Sequence, residues 1–98
     1  MTSIVPNWTE IRGKVKSIQP HPGLSGYSRI DLEVEKKSDV KGFKNLLANR
    51  TEKLISAIVA TSALDENKIR EGDKLICHLR ITQSKENFIN PESLKPVA

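Results

Sequence analysis

The chain has 98 residues, 37% of them hydrophobic, and a formal net charge of +4 from 16 Lys plus Arg against 12 Asp plus Glu; that length holds one hydrophobic core and not two. No apolar run approaches the roughly 20 residues of a membrane-spanning helix, and the start, Met1 to Trp8, lacks the basic flank and long apolar stretch of a signal peptide. The expectation is a single domain over 1–98, cytoplasmic and without a membrane partner; Cys77, the lone cysteine, excludes an internal disulfide and reads as a small core residue.

From Glu10 to Ile18, Ile11 and Val15 share one side and β-branched residues predict a strand, with Gly13 marking a bend or bulge. Gln19 to Gly26 has two prolines and two glycines in eight residues, which predicts a loop. From Arg29 to Glu35, Ile30, Leu32 and Val34 alternate with Arg29, Asp31, Glu33 and Glu35, giving a strand with one dry and one wet face. Ser38 is then placed to cap a short helix over 39–48, in which Val40, Phe43 and Leu47 recur at helical spacing around an unfavourable Gly42.

Leu54 to Ala60 is apolar except for Ser56. The hydroxyl of Ser62 followed by Asp65 predicts a helix beginning at Ala63 and leaving at Gly72, which makes the preceding run a strand. Alternation returns from Lys74 to Thr82, with Leu75, Cys77, Leu79 and Ile81 inward and Ile76, His78, Arg80 and Thr82 outward. Phe88 and Ile89 predict a brief last strand, and Asn90 to Leu94 a helical turn with Pro91 at its first position. There is no internal repeat and no low-complexity tract.

These elements predict a mainly β fold: a small five-stranded Greek-key barrel of the OB type, with a short helix between strands 3 and 4 and an extra helix over 39–48. An SH3-like barrel, or an α+β sheet with a true second helix, is the competing arrangement. Ala57 to Leu64, with Lys68-Ile-Arg-Glu-Gly-Asp-Lys-Leu-Ile-Cys-His-Leu-Arg-Ile81 after it, resembles the second half of the transport-associated OB domains, and Arg12 to Ile18 resembles their opening strand. The resemblance covers under half of the chain. It implies oxyanion binding of the molybdate kind, by backbone amides and the hydroxyls of Thr61 and Ser62, and the chain departs from it in carrying an insertion over 36–53.

The charge is uneven. Residues 1–50 hold nine basic and five acidic side chains, residues 51–98 seven of each, and Lys36 to Lys53 alone nets +4. On an OB barrel this window falls between the second and third strands, where such domains bind single-stranded nucleic acid. Lys36, Lys37, Lys41, Lys44 and Arg50 are therefore the expected phosphate contacts, with Tyr27 and Arg29 as a small stacking platform. The other reading is the solvated face of a surface helix, with Val40, Phe43 and Leu47 against the barrel. Aromatics for stacking are few: Trp8 is assigned to the barrel's end, Phe43 and Phe88 to the core, and Tyr27 also reads as a rim residue.

Catalytic constellations are absent from the pattern. His21, His78 and Cys77 have no metal-ligand or nucleophile spacing, and Asp31, Glu33 and Glu35 read as solvated partners of Lys or Arg across the sheet. The expectation is a binding domain that is not an enzyme and takes no metal or cofactor; its partner is single-stranded nucleic acid, a small oxyanion or another protein.

Overall fold

The computed structural model describes residues 7–47, 51–82 and 86–97. In chain order the strands are β1 (Thr9–Pro20), β2 (Tyr27–Asp39) and β3 (Leu54–Ala60), followed by helix α1 (Thr61–Glu66), β4 (Lys74–Ile81), β5 (Asn87–Ile89) and β6 (Lys95–Val97). Antiparallel pairing joins β1 to β2, β2 to β3, β5 to β4 and β4 back to β1, while β3 meets β5 in parallel at Ile58 and Phe88. The result is a mainly β protein: a closed five-stranded barrel with a short helix between its third and fourth strands.

The alternation that defines the strands also fills the barrel. Ile11, Val15, Ile30, Leu32, Ala57, Val59, Leu75, Cys77 and Leu79 face inward and form one buried cluster with Leu64, Ile69, Ile89 and Leu94. Burial pushes the Cys77 thiol up to about 12, with the charge of Glu10 adding to the effect. His78 points outward from the same strand and meets Glu10 at 3.3 Å. Glu33 and Glu35 lie on the wet face, near Lys16 at 3.8 Å and Lys74 at 3.4 Å.

Closure depends on β1, which pairs with β2 along its length and with β4 over Thr9 to Lys14. The β1–β2 register shifts between Arg12 and Gly13 and again between Val15 and Ser17, and such irregularities bend a strand. At the first shift the chains come so close that a Cβ on Gly13 would lie 2.6 Å from the Glu33 carbonyl oxygen. Glycine is required there by proximity.

Three sequence expectations are corrected. The 39–48 helix does not form: β2 runs on to Asp39, and residues 40–47 make turns that include an isolated bridge from Lys44 to Asn7. Gly42 has φ +88, outside the helical range, and of the three residues at helical spacing only Leu47 is fully buried, with Phe43 43% exposed. The excursion is pinned otherwise. Asn45 accepts from the Thr9 hydroxyl (2.7 Å) and the Leu47 amide (3.0 Å), and donates to Asp39 (2.9 Å).

Second, α1 begins at Thr61 and ends at Glu66, with Ala60 in the cap position and no side-chain cap. β3 runs straight into the helix, so Ser62 lies inside the first turn, and Gly72 (φ +93) shapes the turn into β4 by donating to the Val15 carbonyl (2.7 Å). Third, a sixth strand exists. β5 and β6 share the second side of β4, at Leu79–Ile81 and Lys74–Ile76, joined through a 3₁₀ turn over Pro91–Ser93 whose first amides Asn90 caps. Lys95-Pro-Val97 is too short to give a periodic signal.

Replacing Gly13 with Ala forces two backbones apart, and the expected cost is about 1–3 kcal/mol of unfolding free energy. Urea denaturation measures it; a variant within a few tenths of wild type would show that the close approach is not needed.

Candidate functional site

The strand register places one row of outward side chains across the barrel surface. Arg29 of β2 is opposite Ile58 of β3, Ile58 opposite Phe88 of β5, and Phe88 opposite Arg80 of β4. Since Thr9 pairs with Leu79, Trp8 follows next to Arg80. The Arg80 guanidinium carbon lies 6.0 Å from the ring centroids of both Trp8 and Phe88, at the outer limit of cation–π attraction.

Two concavities meet along this row at Ile58. One, of about 400 Å³, is lined by Trp8, Tyr27, Arg80, Phe88 and Pro91 among others. Its neighbour, of about 420 Å³, is lined by His21 from the β1–β2 loop, Arg29, Leu54, Ser56, Glu52, Glu86 and Asn87. Tyr27 is 41% exposed and Leu54 56%. Ile58 is buried on the outer face, outside the barrel's interior cluster. Three of the chain's four aromatic residues and two arginines thus share one groove.

Below the groove, Asp31 organises a polar network. Its carboxylate accepts from the hydroxyls of Ser56 and Ser17, and Arg29 donates to the Ser56 oxygen (3.3 Å). The Ser56 hydrogen bond and then that of Ser17 hold the Asp31 carboxyl below its ordinary value; burial pushes it up by less than either, and the Arg29 charge adds the smallest lowering. This network fixes where the Arg29 fork stands beside β3.

The expected site residues are divided between two places. Tyr27 and Arg29 belong to the groove. Lys36 is exposed opposite Arg12, and Lys37 turns inward at the barrel's end, donating from Nζ to the Leu47 carbonyl (3.0 Å). Lys41 and Lys44 are exposed on the excursion, and Arg50 lies outside the described residues. The excursion borders the groove at one point, where the Trp8 amide donates to the Lys44 carbonyl (3.2 Å). Thr61 already has its amide bonded to the Gly26 carbonyl (3.0 Å) and its hydroxyl to Ser28 (2.6 Å), while Ser62 is exposed.

Sequence reasoning assigns Trp8 to the barrel's end and Phe88 to the core, and places Arg80 outward, as found, without making it a site residue. Ile89 is buried and Phe88 half-buried, because neighbours on a strand face opposite ways; that parity alone was enough to keep Phe88 out of the core. Phe43, also expected inside, is on the surface. Among the described residues no group of three or more His, Cys, Asp or Glu is placed to hold a metal ion, and no helix is long and apolar enough to cross a membrane. No protein-family model matches the chain, and no curated protein sequence matches it.

Because the folded Asp31 carboxyl titrates below its ordinary value of 3.8, its contribution to stability is complete above that value and is lost as pH falls through the lower, folded one. Asp31→Asn is therefore expected to destabilise most near neutrality, with the gap to wild type narrowing in acid. Urea unfolding at a series of pH values measures this, and a gap that stays constant with pH would contradict it.

Proposed function

We propose that the chain is a non-catalytic OB-type barrel that binds single-stranded nucleic acid in the groove running from His21 and Arg29 over Ile58 and Phe88 to Arg80 and Trp8. The observation that carries this reading is the grouping of Trp8, Tyr27 and Phe88 with two arginines on one concave face. Aromatic faces stack any base, at about 1–3 kcal/mol each, and arginines meet phosphates or stack in turn. The β1-β2-β3-β5-β4 order closing on β1, with α1 after β3, supports the OB assignment.

The basic excursion has a secondary part in this reading. Exposed Lys41 and Lys44 lie on the segment that holds the Trp8 backbone, so a strand leaving the groove past Trp8 meets positive charge. With Arg29 and Arg80 they offer about four phosphate contacts, and at about 0.7 per contact log Kobs should fall against log salt with a slope near −3.

Trp8 is the only tryptophan, so its fluorescence reports base stacking directly. A labelled oligothymidylate is expected to bind at low ionic strength and quench that fluorescence. Phe88→Ala is expected to cost about 1–3 kcal/mol of affinity, and neutralising Lys41 and Lys44 to roughly halve the salt slope. Absence of binding at low salt, or an affinity indifferent to Phe88, would overturn the proposal.

A further inference from the structure

The second concavity is an open seam in the barrel wall. β3 pairs with β2 along its whole length, but on its other edge it meets β5 only at Ile58. Which backbone groups face that edge follows from the ladder. Val34 N–H donates to the Lys53 carbonyl and Thr61 N–H to the Gly26 carbonyl; in an antiparallel ladder hydrogen-bonded pairs alternate, so the odd-numbered residues of β3 turn their amides and carbonyls to β2. The even-numbered residues turn theirs to the seam. The Ser56 carbonyl fits this, since it accepts from Asn87 Nδ2 at 3.0 Å across the gap.

The Leu54 amide and carbonyl and the Ser56 amide therefore point into the seam, where no strand of the described residues pairs with them. Asn87, on the far wall, holds its buried Oδ1 without a hydrogen-bond partner. A buried polar atom such as Asn87 Oδ1 normally finds a partner, and the Leu54 and Ser56 groups beside it are open to one. The seam's chemistry restricts what that partner is. Glu52 and Glu86 line it and outnumber the one charged basic side chain among its described residues, Arg29, which disfavours a phosphate deep in the seam, while Leu54 and Ile58 offer apolar surfaces to a flat, uncharged ring. A volume of about 420 Å³ admits a base with its sugar.

Resting on the nucleic-acid reading above, we infer that the seam between β3 and β5 takes one base of the bound strand edge-on. Its adjacent donor and acceptor pair with the Leu54 carbonyl and the Ser56 amide, while its neighbours stack on Phe88, Tyr27 and Trp8. Adenine and cytosine carry a donor followed by an acceptor on the Watson–Crick edge, guanine the reverse, and thymine and uracil either order, and a flipped ring accommodates the difference. The site thus demands a base without selecting which one, and it holds the phosphates at the arginine side of the groove.

Amide hydrogen exchange followed by NMR tests this on the unaltered protein. Oligothymidylate is expected to slow exchange at Leu54 and Ser56, and an abasic strand of equal length is expected not to. Ser56→Pro removes the seam-facing donor without touching the β2 ladder, and should weaken oligothymidylate binding roughly five- to tenfold, the worth of one hydrogen bond, relative to Ser56→Ala, which loses the same hydroxyl. If the oligonucleotide binds and quenches Trp8 while both amides exchange as before, or if the abasic strand protects them equally, the seam inference is overturned and the groove reading stands. If no oligonucleotide binds at all, both fall. Should Ser56→Pro fail to fold, the exchange measurement decides alone.

Discussion

The fold depends on one strand serving two neighbours. β1 must follow β2 for twelve residues and also deliver its first half to β4, which a flat strand cannot do. The bend is achieved where Gly13 lies against the Glu33 backbone and the register slips. Closure then carries a large stagger. The row that starts at Arg29 reaches Arg80, and the adjacent pairing of Leu79 through Thr9 returns to β2 at Asp39, about ten residues further along. Barrels acquire such a stagger because strands tilt when a sheet closes on itself.

That stagger also composes the groove. Residues from both ends of the chain and from its middle are brought into one row because neighbouring strands are offset, so Trp8, Arg29, Ile58, Arg80 and Phe88 meet without any local grouping in sequence. It likewise brings the excursion after β2 back to the start of β1. There Asn7 bridges to Ile81 through both ends of its side-chain amide (3.1 and 2.9 Å), and Thr9 holds Asn45. The excursion is thus a strut at the end of the barrel, and its Leu47 completes the core while its lysines remain in solvent.

The period-two strands were legible in the sequence because half-buried strands write their burial directly into alternation: Ile30–Leu32 and Leu75–Cys77–Leu79–Ile81 are inward as that pattern requires. The turn-bound β3 and the bend at Gly13 were legible for similar local reasons. Val40, Phe43 and Leu47 match a helical period by spacing, yet no helix forms over 40–47, because Gly42 takes φ +88 and Phe43 stays in solvent while Leu47 enters the core. The groove was hidden for a deeper reason. Charge density along the chain is a one-dimensional property that singles out Lys36 to Lys53, whereas the aromatic cluster exists only after β3, β4 and β5 take their register.

The edge of β3 that no strand of the described residues pairs, apart from Ile58, has a further consequence for the molecule in concentrated solution. A bare strand edge is a template for another copy of itself, and folded proteins guard such edges with charge, brevity or concealment. All three are present here. The free stretch is only a few residues long, it lies at the bottom of a concavity, and Glu52 and Glu86 stand at its sides. Two molecules approaching edge to edge would press four carboxylates together. Glu52 and Glu86 thereby work against self-association, and in the proposed reading the same two side chains also disfavour phosphate in the seam.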